Sequence, residues 1–298
     1  MITESIESET RMSTLPEGSL LEGKSALVAG GGRGIGRAVA IALARNGARV
    51  VVNDYGCEFD GSSPSNGPAD AVVGEIVEAG GTAVASYANV ASNSGAQSAV
   101  QTAIDAFGDL DVLVFSAGIV RDVTILKMEE SDWDSVLGVA LKGAFLTIRA
   151  TARHMVSSRH GGRMVIMTGL PGYLGSFAQA NVAAACGGIH GLLRTAAIEL
   201  QKHKITVNGI APLAKTRLTE SLPLLNGFDN LTPEHVTPAV LALSSDLCGN
   251  RTGFVLAVTG ARTYSFRFVE SPGKFKDTED GLFTPEEIDE NWHAIVKA

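Results

Sequence analysis

The chain has 298 residues, 45% of them hydrophobic, and a mean hydropathy of +0.17, which describes a well-buried globular core of one large or two small domains and argues against a disordered chain. The formal net charge is −8, the pI is about 5.3, and no Lys/Arg cluster interrupts that acidity, which argues against nucleic acid as a partner. No apolar run approaches the roughly 20 residues of a membrane span, and three well-separated cysteines, Cys57, Cys186 and Cys248, form neither a disulfide framework nor a C-x-x-C metal site, which suits a reducing cytoplasm.

Residues 1–22 read as a flexible tail. Positions 1–20 are polar and acidic (Glu4, Glu7, Glu9) and lack the charged-then-apolar pattern of a signal peptide. From Ser25 to about Thr259, Val/Ile/Leu-rich runs alternate with helical patterns. The runs 25–30, 48–53, 82–87, 111–116, 163–168, 205–210 and 254–258 predict buried parallel strands. Helices are predicted near 34–46, 68–79, 94–107, 131–158, 178–202 and 233–245. Right-handed crossovers between parallel strands then give an α/β fold, a Rossmann-type doubly wound seven-stranded sheet with helices on both faces, over 23–262. The stretch 57–67 is a polar loop insertion, and 263–298 is a C-terminal extension. There Thr284, Pro285 and Glu287 spell a helix start, so a short helix is predicted over 285–296.

The first strand runs into Gly30-Gly31-Gly32-Arg33-Gly34-Ile35-Gly36 and straight on into a helix. Gly30 permits the sharp turn, Gly34 lets the backbone approach a pyrophosphate, and Gly36 lets the helix pack on the strand. The helix N-terminus offers free N–H groups and a positive dipole end to phosphates. Asp54 ends the second strand, where a carboxylate accepts both adenosine-ribose hydroxyls and repels a 2′-phosphate, so NAD is expected over NADP. The plainer reading of Asp54 is a turn-forming residue. Arg33 is either a phosphate contact or a solvated loop residue.

With those residues in place, the chain resembles the short-chain dehydrogenase/reductases over about 22–262, and within them the branch containing (3R)-hydroxyacyl-CoA dehydrogenases. The resemblance is carried by VVVNDYG (50–56), AGIVRD (117–122), FAQAN (177–181), NGIAPLAKTRLTES (208–221), TPEHVTPAVLAL (232–243) and GLFTPEEIDENWHAI (281–295). It implies further cofactor contacts at Asn89-Val90, where the family has Asp-Val, and at Ala117-Gly118, which survive from an Asn-Asn-Ala-Gly turn now reading Phe115-Ser116-Ala117-Gly118. An Asn carbonyl at 89 can still accept from an adenine amine. The resemblance also implies dimer or tetramer contacts through the long helices, and an acyl-CoA or steroid-like ligand.

The family's chemistry uses a Tyr and a Lys four apart on one helix face, a Ser after strand five and an Asn on the preceding long helix. Aligned through Gln179-Ala180-Asn181, the Tyr position is Val182, the Lys position Cys186, the Ser position Gly169 and the Asn position Ala140. All four are replaced. No alignment slip restores the pair, because the Tyr between 150 and 262 is Tyr173 and Phe177 stands four residues later. Tyr173 is expected in the loop beside the substrate, as a pocket-wall aromatic or, alternatively, a stand-in acid. Thr168 and His190 lie nearby, the first as a loop hydrogen bonder, the second as a helix-face or interface histidine. Cys186 reads as a small buried residue.

Gly187 and Gly188 each cost about 1 kcal/mol in a helix interior, which predicts close packing against a facing helix. The loop 213–230 is expected to cover the pocket with Leu218, Leu222, Leu224 and Leu225, suiting an apolar ligand. The expected function is an NAD-binding member of the family without standard hydride transfer, homo-oligomeric or paired with an active paralogue. The alternative is an NAD-dependent oxidoreductase acting on a hydroxyacyl-CoA or hydroxysteroid-like substrate through non-standard residues. No metal site is expected.

Overall fold

All seven predicted strands form in the computed structural model, which describes residues 20–220, 230–266, 268–277, 279 and 281–297. They are β1 (Ser25–Ala29), β2 (Arg49–Asn53), β3 (Thr82–Ser86), β4 (Val112–Phe115), β5 (Gly162–Met167), β6 (Ile205–Leu213) and β7 (Val255–Thr259). An eighth, β8 (Arg262–Ser265), follows directly. Its residues are mostly exposed and carry no apolar run, so nothing in the sequence pattern marked it. The sheet order is β3-β2-β1-β4-β5-β6-β7-β8, and β1 through β7 pair in parallel. All five residues of β1 and all four of β4 are buried, as parallel strands covered on both faces require. Because the chain leaves β1 for β2 on one side and later places β4 on the other, the sheet has its switch point at β1, where a crevice opens beyond the strands' C-terminal ends.

One helical layer holds α1 (Gly34–Arg45), α2 (Gly67–Glu78) and α8 (Thr237–Ser244). The other holds α3 (Asn93–Phe107), α5 (Gly143–Ser158) and α7 (Ala180–Leu200). Val39, Leu43, Val72, Ile76 and Val240 fill the first layer's contact with Val28, Val50 and Val52 of the sheet. Leu21, assigned to the N-terminal tail by sequence, is buried in this same core, and its N–H donates to the Asn46 carbonyl at 2.9 Å. The packed body therefore reaches further back than residue 23. The remaining tail residues, 1–19, and Leu222, Leu224 and Leu225 lie outside the described residues.

The long helix predicted over 131–158 is broken. α4 (Glu130–Leu137) passes into a π turn, Gly138–Lys142, before α5 begins. Extra-residue turns of this kind mark sites where a helix is re-aimed. Here Gly143 follows the turn, and a Cβ on it would stand 3.3 Å from the Phe115 ring and 3.5 Å from the Val90 carbonyl. That missing side chain gives room to the bulky Phe115, which stands where the family has a small polar Asn. The whole stretch Glu130–Ser158 is long and apolar enough to cross a membrane by length and composition. In this fold its apolar residues Ala144, Leu146, Ile148 and Met155 are buried.

Helix α7 shows the expected close packing at Gly188, whereas a Cβ on Gly187 would meet only the Gly172 carbonyl oxygen at 3.7 Å, an ordinary contact. A Cβ on Gly188 would lie 2.7 Å from Leu141 of the π turn. A Cβ on Gly172, in the short α6 (Pro171–Leu174), would lie 2.7 Å from the Gly187 nitrogen. The facing partners are thus a π turn and a single helical turn.

The chain divides into two compact units, Met1–Tyr264 and Ser265–Ala298. In the second, Thr284 caps α9 (Pro285–Glu290) through a reciprocal box with Glu287, and Lys276 pairs with that same carboxylate at 2.7 Å. The predicted helix divides at Asn291, whose side-chain amide takes the Glu287 carbonyl at 2.7 Å. The second half is α10 (Trp292–Val296).

Candidate active site

The crevice at the switch point is a cavity of about 430 Å³, within the usual size of a small-molecule site. Its floor is the glycine turn. Gly30, at φ +79°, receives its place from two N–H donations, Gly30 and Gly31 to the Asn53 carbonyl at 2.8 and 2.9 Å. A Cβ on Gly30 would meet the Ala117 backbone at 2.6 Å. Gly36 admits no side chain at all, since its Cβ would sit 1.9 Å from the Gly30 carbonyl oxygen. Gly36→Ala is therefore expected to destabilise the protein by about 1–3 kcal/mol, read from urea unfolding, and to displace the turn that begins α1. Gly32, given no role by sequence, is also constrained, though less severely, because a Cβ there would come within 2.7 Å of both the Asp54 and the Pro68 side chains.

Asp54 performs the turn-forming duty and stands where the other would be performed. Its Oδ2 accepts from Gly32 N–H at 2.8 Å and its Oδ1 from Gly56 N–H at 2.7 Å, so it fixes the glycine turn and the loop after β2. A carboxylate has about four acceptor sites. Two remain, and Asp54 lines the cavity, half-buried, where ribose hydroxyls can reach it. Arg33 is not solvated freely. It donates from Nη1 to the Cys57 carbonyl at 2.8 Å, and Arg217 donates from Nη2 to the same oxygen at 3.0 Å. Two guanidiniums from distant loops thus close on one carbonyl at the cavity's edge.

The other expected contacts converge as well. Gly34, Ile35, Asn89, Val90, Ala117 and Gly118 all line the cavity. The Asn89 Oδ1 already accepts from Ala91 N–H at 3.0 Å, which leaves one lone pair for a ligand donor. Sequence reasoning missed Thr216 and Thr219. Thr219 Oγ1 donates to the Ala214 carbonyl at 2.6 Å and accepts from Thr216 N–H at 2.9 Å, which folds this loop over the glycine turn. Thr216 Cγ2 would lie 3.3 Å from a Cβ on Gly34. Leu218 lines the cavity on this side.

At the far end, Ala140, Gly169, Val182 and Cys186 all line the same cavity. Ala140 comes from the π turn, Gly169 from the segment after β5, and Val182 and Cys186 from one face of α7. None holds a group that trades a proton at neutral pH, and burial pushes the Cys186 thiol further up. Leu170, Leu174 and Ile189 add apolar surface to the surrounding wall. A nicotinamide dinucleotide fits this crevice at its adenosine end, where the cradle, Asp54 and Val90 stand ready. At its other end no lysine stands among the described lining residues to hold the nicotinamide ribose.

Tyr173 lies in the expected segment but faces the other way. It does not line the cavity but turns onto α7, its ring stacked on His190 with centroids 4.0 Å apart. Its hydroxyl is buried and under the influence of Arg194, and burial pushes the phenol up against that pull. The reason is Gly172, which lets α6 press directly onto Cys186 and Gly187 and carries Tyr173 with it. Tyr173 is therefore neither a pocket wall nor a stand-in acid. Thr168, by contrast, does line the cavity. Its Oγ1 lies 3.0 Å from His190 Nε2 and donates to the Cys186 carbonyl at 3.2 Å. His190 is buried, and desolvation, with the Arg194 charge adding to it, pulls its pKa down to about 4.

A parallel sheet whose switch point holds a glycine turn, an acid after β2 and a cavity under the loop beyond β6 defines a dinucleotide-type oxidoreductase architecture. The family model described as short chain dehydrogenase matches residues 24–223, and the chain belongs to that family. It is similar to the peroxisomal multifunctional enzyme type 2 of Mus musculus, 39% identical over 274 residues that make up 92% of this chain and 37% of the mouse enzyme. It is also similar to a 3-oxoacyl-[acyl-carrier-protein] reductase of Synechocystis, 39% identical over 76% of this chain and 91% of the reductase. A crystal structure of a short chain dehydrogenase from Mycobacterium avium superposes with a TM-score of 0.82 at 40% identity, covering 93% of this chain and 96% of that one. The chain thus stands near the dehydrogenase branch of the multifunctional enzymes, and spans little more than a third of the mouse relative's length.

Proposed function

We propose that this protein binds NAD(H) through its glycine turn and Asp54, and does not carry out its family's usual proton and hydride transfer. The observation that carries the reading is that Ala140, Gly169, Val182 and Cys186 line the same cavity as the glycine turn. That juxtaposition supports a site that keeps its place in the fold while these four positions carry none of the family's working groups. When bound, the nicotinamide supplies a hydride donor or acceptor. The chain's own residues hold the adenosine half, with Asp54 favouring an unphosphorylated ribose. At the other end they offer the apolar side chains of Leu170, Leu174, Val182 and Ile189. That apolar wall suits an acyl-chain or ring-system ligand. In this role the protein serves as a ligand-responsive subunit, with copies of itself or with an active relative.

The test is a calorimetric titration with NAD and NADH. Both are expected to bind. Asp54→Ala should weaken them about 10–100-fold, the worth of hydrogen bonds to a charged acceptor. Asp54→Asn, which keeps one acceptor oxygen for the glycine turn, separates loss of the loop from loss of the ribose contacts. At 100 times its dissociation constant, NAD should add roughly 2.7 kcal/mol of stability. Failure of millimolar NAD and NADH to bind, or turnover of NADH with a 3-oxoacyl thioester, defeats the reading.

A further inference from the structure

Behind the apolar end of the cavity lies one polar arrangement that neither the cofactor nor the family's chemistry uses. Thr168 stands just past β5, its N–H fixed to the Ile210 carbonyl at 2.8 Å. Its hydroxyl has two neighbours, the Cys186 carbonyl at 3.2 Å and His190 Nε2 at 3.0 Å. A hydroxyl has one proton to give. With that proton on the Cys186 carbonyl, Nε2 must be the donor in the second bond, so a neutral His190 carries its proton on Nε2. The Cys186 carbonyl lies inside α7, where the His190 amide four residues on is its regular partner. The Thr168 donation is a second, longer bond to an oxygen already served, and it can be exchanged at little cost for a better acceptor in the cavity.

We infer that Thr168 is the hydrogen-bond donor for the carbonyl oxygen of the cavity's second ligand, and that His190 is the positioning residue that keeps the threonine proton available. His190 is held for that task. It is 3% exposed, its ring is stacked on Tyr173, and it remains neutral at physiological pH. With the opposite tautomer, Nε2 would accept the threonine proton and Thr168 would present only lone pairs, which suit a hydroxyl ligand. The histidine tautomer therefore sets whether the site reads an oxo or a hydroxy compound, and the Thr168 donation to the Cys186 carbonyl favours the oxo. Thr168 adjoins Gly169, so the donor sits one residue from the position where the family places its serine. The inference rests on the cofactor reading above and adds to it a ligand class and the residue that recognises it.

The experiment titrates the full chain, saturated with NADH, with acetoacetyl-CoA. Thr168→Val, of nearly the same shape, should bind the thioester about three- to tenfold more weakly, the worth of one neutral hydrogen bond. Thr168→Ser should retain the wild-type affinity, and NADH should bind all three proteins alike. Independently, ¹⁵N-histidine NMR of the wild type, with His190 assigned by its loss in His190→Gln, should show the Nε2–H tautomer and a shift when acetoacetyl-CoA is added. An Nδ1–H tautomer overturns the inference. So does equal thioester affinity in Thr168→Val, or no thioester binding to the NADH-loaded wild type. If NADH itself fails to bind, the cofactor reading falls and takes this inference with it.

Discussion

A protein carrying Gly169→Ser, Val182→Tyr and Cys186→Lys together is expected to oxidise NADH with acetoacetyl-CoA roughly 10²–10⁴-fold above the parent's background, the range general acid–base catalysis supplies. The geometry for this exists. Val182 and Cys186 lie one turn apart on α7, and both side chains already face the cavity. A phenol at 182 has an intrinsic pKa near 10 and works poorly alone. An ammonium one turn away lowers it and holds the nicotinamide ribose. The gain should therefore be strongly non-additive, with each single variant close to the parent. Two strains oppose the change. A Cβ at 169 would stand 3.2 Å from Pro171 Cδ and 3.1 Å from the parent's Cys186 Sγ, a place the stem of a lysine at 186 would also need, so the segment before α6 must yield by a few tenths of an ångström. A lysine at the buried Cys186 position also carries a charge where the parent has none, which costs several kcal/mol until the cofactor's hydroxyls receive it. The triple variant should then melt below the parent without NADH and recover part of the difference with it. Intact NADH binding with no gain in rate would mean that something beyond these three groups has been lost, and would weaken the claim that the cavity retains a working shape.

The glycine turn and Asp54 were legible because their chemistry is tied to fixed offsets between a strand, a turn and a helix, and parallel α/β units keep those offsets. The replaced positions were legible for the same reason, and Val182, Cys186 and Gly169 reach the cavity from where the alignment placed them. What was hidden depends on side-chain direction or on contacts between distant segments. Tyr173 was placed in the correct loop, but its side was set by Gly172 pressing onto α7, which no local pattern reports. Arg217 meets Arg33 through a backbone carbonyl 160 residues away in sequence, a contact with no periodicity to betray it. The π turn at Gly138–Lys142 interrupts a run whose apolar spacing still reads as continuous helix. β8 was lost because an edge strand with exposed residues has no buried run to announce it.

His190 gives the second large effect, on stability rather than on binding. Its folded pKa is about 4, against 6.5 for an unperturbed histidine. The cause is first the desolvation of a ring buried under Tyr173 and Thr168, and then the positive charge of Arg194, which disfavours a second cation. As the pH falls below about 6.5, the unfolded chain takes up a proton at this site and the folded chain does not, so stability declines with falling pH. The decline ends near pH 4, where the folded ring protonates too, and across the whole window it is worth up to about 3 kcal/mol. His190→Gln removes the titration and keeps a side-chain N–H donor. Urea unfolding of both proteins at pH 7 and pH 5 isolates the site, because every other titrating group, including the Asp109 carboxylate held low by His154, is common to the pair. The wild type should lose more stability than the variant between those two values, by about 1.5–2 kcal/mol. An equal loss in both would mean that His190 takes its proton in the folded state at an ordinary pH. Protonated, it would hold hydrogen on both ring nitrogens and still donate from Nε2 to Thr168, so the threonine proton would stay available to an oxo ligand, but the ring would do so as a buried cation beside Arg194 rather than as a neutral tautomer.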